Sequence, residues 1–117
     1  MADVISIDDT VKDGFSVLVP DPELFKGTIS EENVEQFSLG MDSITPSGVS
    51  YCVDLSGFEY LNASTGGVLL TFSKKLPEDE KLHVIITKGS IRRLYSMLGF
   101  NDFFQLYESR EQFIRSG

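Results

Sequence analysis

Apolar and polar positions along this chain fall into blocks whose period switches between two and three to four. Val4, Ile5 and Ile7 form a short run closed by Asp8 and Asp9, and Phe15 to Val19 form a second, which predicts two strands joined through Lys12-Asp13-Gly14. The Asp13-Gly14 pair suits an antiparallel hairpin. Pro20-Asp21-Pro22 ends the second strand, because proline lacks a ladder donor and restricts its predecessor. Leu24, Phe25 and Ile29 are expected to continue the sheet beyond that break.

The period then becomes helical. Ser30-Glu31-Glu32-Asn33 reads as a hydroxyl cap followed by acids, with Asn33 where a capping box carries Glu or Gln. Val34, Phe37, Met41 and Ile44 recur at spacings of three and four and give that helix one apolar face, and Thr45-Pro46-Ser47-Gly48 ends it. Val49 to Leu55 is almost continuously apolar after Ser50, the pattern of a central strand covered on both faces. After it comes a turn of small residues, Asn62-Ala63-Ser64-Thr65-Gly66-Gly67, and a helix expected from near Ser64 to about Lys75, with Val68, Leu69, Phe72 and Leu76 toward the core. Pro77-Glu78-Asp79-Glu80 is a solvated acidic turn without the glycine and spaced oxygens of a calcium loop. Leu82 to Ile86 is the next strand. Ser90 is expected to cap a third helix carrying Ile91, Leu94, Tyr95 and Leu98, stopped by Gly99 as a left-handed residue. Phe103 to Tyr107 gives a last strand, and Glu108 to Arg115 a final helical turn or two, with Phe113 and Ile114 packing back onto the sheet. The sum is an α/β chain, residues 1–117 as a single domain. Its mixed sheet has about five strands, with an N-terminal antiparallel hairpin, parallel crossovers and three to four helices.

Composition narrows the chemistry. With 117 residues the chain is long enough for one core. No apolar run approaches the roughly 20 residues of a membrane span, and the start MADVISIDD lacks the basic and apolar regions of a signal peptide, so no membrane insertion and a cytoplasmic location are expected. Cys52 is the single cysteine and is expected to be a buried, inert strand thiol. His83 is the single histidine and reads as a strand residue, so a zinc site or histidine triad has little material and no metal or cofactor is expected. The net charge of -8 is uneven: residues 1 to 60 hold twelve acids and two bases, residues 61 to 117 six acids and eight bases. Such a chain is a poor nucleic-acid ligand and suits a partner with a basic surface. Arg92 and Arg93 read as a solvated helix face, with an anionic group as the alternative partner.

The turn carries the functional signal. A serine at a helix start either caps the helix or presents its hydroxyl beside free amides and the positive end of the dipole, where a phosphate is tolerated. The two roles are compatible. Gly66 is expected to allow close approach of a partner backbone, and Gly67 to let the helix pack tightly on the sheet.

Three stretches resemble the STAS domain of the bacterial anti-sigma factor antagonists: Val53-Asp54-Leu55-Ser56-Gly57, Leu61-Asn62-Ala63-Ser64-Thr65-Gly66-Gly67-Val68-Leu69-Leu70, and Arg93-Leu94-Tyr95-Ser96-Met97-Leu98-Gly99-Phe100-Asn101-Asp102-Phe103-Phe104. Phe25-Lys26-Gly27-Thr28-Ile29 fits more loosely, so the similarity spans about residues 15 to 114. The resemblance implies a bacterial, non-enzymatic regulator. It would bind an anti-sigma factor serine kinase of ATPase fold when unmodified and be released when Ser64, the position of the family's phosphorylated serine, takes a phosphate. A serine phosphatase would restore it. Asn62, Ala63, Ser64, Thr65, Gly66 and Gly67 would form the partner-binding turn. Asn62 stands where the family usually has Asp, and Thr65-Gly66 where it has Gly-Leu. Those departures motivate a second reading, a STAS subunit of another assembly, transporter-associated or a stress-signalling scaffold, without a Ser64 switch. A third, a small-ligand binder or enzyme of flavodoxin-like outline, lacks both phosphate-loop glycine patterns.

Overall fold

The structure, a computed structural model, describes residues 4–116. Strands β1 (Ile5–Asp8) and β2 (Phe15–Pro20) form the antiparallel hairpin, with Ile5 opposite Pro20 and Asp8 opposite Val17. β2 then pairs in parallel with β4 (Ser50–Asp54), β4 with β6 (Leu82–Ile85), and β6 with β7 (Phe104–Tyr107), in the order β1-β2-β4-β6-β7. This is the expected five-stranded mixed sheet.

The near-continuous apolar character of β4 has the expected cause. Alternate residues go to two cores: Tyr51 and Val53 join Leu18, Leu82, Val84 and Phe104 on one face, while Cys52 joins Val17, Ile85, Tyr107 and Phe113 on the other. Helices α1 (Val34–Asp42), α2 (Ala63–Ser73) and α3 (Gly89–Met97) cover the first face through Phe37, Met41, Leu69, Phe72, Ile91 and Tyr95. Helix α4 (Arg110–Arg115) covers the second through Phe113. Each such large side chain contributes roughly 1.5–3 kcal/mol on burial. Gly99 closes α3 at φ 85°, as its left-handed role requires, and a 3-10 turn at Phe100–Asp102 leads into β7.

The structure revises several expectations about the elements. The segment after Pro20 does not rejoin the main sheet: Leu24 and Phe25 lie in turns, and β3 (Thr28–Ile29) pairs in parallel with β5 (Tyr60–Leu61) in a separate two-stranded sheet. Both edges of β2 are already occupied by β1 and β4, and left-handed Lys26 and Gly27 (φ 55° and 69°) swing the chain away. Ser90 lies within α3, whose cap position is Lys88 with no side-chain bond. Leu94 and Leu98 flank the buried Ile91 and Tyr95 and stay partly exposed, and beside them Met97 is 80% exposed. Ile114 is exposed while Phe113 is buried, because a helix of six residues offers the sheet a single apolar position.

The caps and cations explain the ends of the elements. The cap position of α1 is Asn33 rather than the expected Ser30, and it makes no side-chain cap bond; its Oδ1 instead accepts from the Ser30 N–H and its Nδ2 donates to the Thr28 carbonyl, both at 2.8 Å. Arg92 is not a free solvated cation: it donates to the Ile86 and Thr87 carbonyls at 2.6 and 2.7 Å and meets Glu108 at 3.3 Å. Arg93 is exposed.

Candidate functional site

The turn between β5 and α2 lies at the end of the parallel strands where β4 delivers the chain. Asp54, the last residue of β4, is 5% exposed and is held by Arg110 of α4 at 2.8 and 2.9 Å, while its other oxygen accepts from the Ser56 N–H at 2.9 Å. This fixes the strand end. From there β5 is tied to the residues before α1: Asn62 N–H donates to the Ile29 carbonyl at 3.0 Å and Glu59 N–H to the Gly27 carbonyl at 2.8 Å.

Helix α2 is capped by Asn62, not by Ser64. Its Oδ1 accepts from the Thr65 N–H at 3.0 Å and from the Thr65 hydroxyl at 2.8 Å. The reason is geometric: a capping side chain bonds the amide three residues on, and from position 62 that amide belongs to Thr65, whose hydroxyl can join the same oxygen. Tyr95 of α3 donates its phenol to the Asn62 carbonyl at 2.8 Å, and burial raises the pKa of that phenol well above its ordinary value. The cap residue is thus held from two helices.

The cap assignment turns the six residues of the predicted turn in different directions. Thr65 and Gly66 are buried, whereas Ala63, Ser64 and Gly67 are exposed and Asn62 is intermediate. A Cβ built on Gly66 falls 2.3 Å from the Phe100 ring, and one built on Gly67 meets nothing within 4 Å. The expected roles of the two glycines are therefore exchanged. Gly66 permits internal packing, and Gly67 is the open backbone.

Ser64 stands in the second position of α2, and its hydroxyl, unlike that of Thr65, takes part in no hydrogen bond among the described residues. It borders an open groove of about 410 Å³ lined by Ser30, Glu31, Glu32, Tyr60, Asn62, Ala63 and Ser64. Glu31 and Glu32 are exposed, as is Tyr60 at 50%. No local pattern in the sequence announces this groove, because Glu31 and Tyr60 come to line it together only through the β3–β5 pairing.

The other candidate groups stand apart from the turn. Cys52 is fully buried on the opposite face of the sheet, and burial, then Asp54, push its thiol pKa far up. His83 lies in β6 as expected, half-buried, with Nδ1 2.9 Å from the Tyr107 hydroxyl. Among the described residues no group of three or more His, Cys, Asp or Glu side chains could hold a metal ion, and no helix is long and apolar enough to cross a membrane.

A five-stranded mixed sheet with three helices on one face and one on the other is the arrangement of the STAS fold. Solved structures share it, among them the following two. The chain is similar to an anti-sigma factor antagonist from Mycobacterium paratuberculosis, with a TM-score of 0.72, 20% identity and coverage of 96% of this chain and 93% of that one. It is also similar to an anti-sigma-factor antagonist (STAS) domain protein from Planctomyces limnophilus, with a TM-score of 0.71, 20% identity and coverage of 97% and 96%. No protein-family model matches the sequence, and no curated protein matches it.

Proposed function

We propose that this protein is a cytoplasmic anti-sigma factor antagonist that acts by binding rather than by catalysis. Its unmodified form docks on an anti-sigma factor serine kinase of ATPase fold, and phosphorylation of Ser64 ends that contact until a serine phosphatase removes the phosphate. The observation that carries this reading is the placing of Ser64: an exposed, unengaged hydroxyl at a helix start whose cap is supplied by another residue. Ser64 can accept a phosphate without any loss of the Asn62–Thr65 cap. Ala63, Ser64 and Gly67 form the contact surface, and Asn62, Thr65 and Gly66 hold it in shape.

The modification adds a charge of about -1.5 to -2 beside the carboxylates of Glu31 and Glu32. The helix dipole offsets part of that repulsion within the fold, so the turn keeps its shape. At an interface that has shed its water the same charge costs several kcal/mol, and about 1.4 kcal/mol is already tenfold in affinity. The switch works by spoiling the interface.

The test is capture of partners from native-host lysate on the wild-type protein and on Ser64→Asp, with identification by mass spectrometry. An ATPase-fold kinase held by the wild type and absent from Ser64→Asp supports the proposal. A transporter or scaffold subunit retained equally by both forms replaces it with a constitutive STAS interface.

A further inference from the structure

On the face of the sheet opposite α2, four elements meet around one imidazole. The His83 ring lies 4.9 Å from the Phe15 ring at 86°, 5.8 Å from the Tyr107 ring at 16° and 5.9 Å from the Phe113 ring at 59°. Its Nδ1 is 2.9 Å from the Tyr107 hydroxyl, which lies 3.4 Å from the Ser116 hydroxyl, which in turn accepts from the Lys12 ammonium at 3.1 Å. Lys12 also donates to the Phe113 carbonyl at 2.9 Å and to the Ser116 carbonyl, and sits 4.9 Å from the Phe113 ring and 5.3 Å from the Phe15 ring. The hairpin loop, β6, β7 and the end of α4 are thus joined through one hydrogen-bonded chain.

We propose that His83 is a proton-sensitive pin: its neutral ring holds α4 and the hairpin loop on the back of the sheet, and its protonation releases them. This inference is independent of the Ser64 reading, since α2 packs on the other face.

With the neutral imidazole carrying its hydrogen on Nε2, Nδ1 accepts from the Tyr107 phenol. A proton gained there turns Nδ1 into a donor, so the phenol must swing its hydrogen toward Ser116. The box then holds two cations, His83 and Lys12. Around the ring stand the Phe15 ring from β2, the Tyr107 phenol from β7, the buried Cys52 thiol from β4 and the Phe113 ring from α4, while Lys12 of the hairpin loop lies over the Phe15 and Phe113 rings and Ser116 is linked to the imidazole through Tyr107. No carboxylate among the described residues pairs with His83; the nearby Asp54 is engaged by Arg110. Burial, and then the Lys12 charge, hold the imidazole pKa below its ordinary 6.5. The released form takes up its proton at the ordinary value, so the docked form is fully favoured above pH 6.5 and loses ground as pH falls below it. Helix α4 is the element that yields, because six residues cannot sustain a helix in water without their packing.

The experiment is an NMR titration of the full chain from about pH 7.5 to about pH 5, following the His83 ring and the helical Cα shifts of Glu111, Gln112 and Phe113. The α4 shifts should fall by at least about half with the same midpoint as the ring, while those of Leu69 and Phe72 in α2 hold steady. In His83→Phe, which keeps an aromatic ring in the box, the α4 shifts should be flat across the range. The proposal is overturned if α4 keeps its shifts while His83 titrates, if the two midpoints differ, or if His83→Phe shows the same loss. Should that variant fail to fold, the comparison of midpoints within the wild type decides alone.

Discussion

Replacing Gly66 by alanine and, separately, Gly67 by alanine should move stability in opposite directions. Both glycines lie in α2, where an alanine in place of glycine ordinarily gains about 0.5–1 kcal/mol from backbone entropy and helix propensity. At Gly67 nothing stands within 4 Å of the new Cβ, so the full gain is expected. At Gly66 the new methyl would fall 2.3 Å from Cε2 and 2.8 Å from Cζ of Phe100. That ring cannot simply swing aside, because it stacks on Phe104 with centroids 5.3 Å apart and meets Tyr95 edge-on at 5.3 Å. Overpacking of this kind costs typically about 1–3 kcal/mol, which exceeds the propensity gain at its centre. The expected net is a loss of about 1 kcal/mol for Gly66→Ala against a gain of about 0.5–1 for Gly67→Ala. For a domain of this size each kcal/mol is roughly 4 °C in Tm, so the two variants should melt about 6–8 °C apart. Urea and thermal unfolding followed by circular dichroism give both numbers. A Gly66→Ala protein as stable as Gly67→Ala would refute the packing argument, since it would mean that Phe100 yields at no cost.

Other outcomes follow from the same contacts. Asn62→Ala removes the acceptor of two bonds and strands the buried Thr65 hydroxyl, so urea unfolding should show a loss of about 1–2 kcal/mol, while Asn62→Asp keeps the acceptor and should retain wild-type stability or better. Tyr95→Phe frees the Asn62 carbonyl and should cost about 1 kcal/mol by the same measurement. Arg110→Met leaves the buried Asp54 carboxylate without its partner; because Arg110 is itself partly exposed, about 2 kcal/mol is expected, and a variant within about 0.5 kcal/mol of wild type would show that water replaces the guanidinium. Cys52 should react with a thiol-specific alkylating reagent at pH 8 only as fast as the protein opens, so adding urea below the transition should speed modification in step with unfolding.

Much of the fold was legible because it is written in local periods. The apolar run at Phe15 to Val19, that through Tyr51 to Leu55 and the three-and-four spacing from Val34 to Met41 each depend on neighbours in sequence, and each stands where it was read. What escaped depends on partners far along the chain. The small sheet needs Thr28 opposite Tyr60, a pairing that no local pattern announces. Gly66 is buried by Phe100, a residue beyond the next strand and helix, so the two adjacent glycines look alike until that ring is placed. The cap was a closer matter. Asn62 and Ser64 are both good caps, and the deciding sign was Thr65 three residues after Asn62, which supplies both the amide and a second donor. Ser64 stood out by its place at a helix start and by resemblance, and in the structure its side chain is exposed.

The two-residue pairing of β3 with β5 acts as a tie-bar between the starts of two helices. It fastens Ile29, just ahead of α1, to Leu61 and Asn62, just ahead of α2, and both Ile29 and Leu61 are wholly buried. Ser64 therefore takes its bearings from the segment at residues 28–33 as much as from the main sheet. Glu31, Glu32, Tyr60 and Ser64 are thereby carried on segments bound to each other, and a change as remote from solvent as Ile29→Ala should shift their relative positions without altering a single residue on that surface.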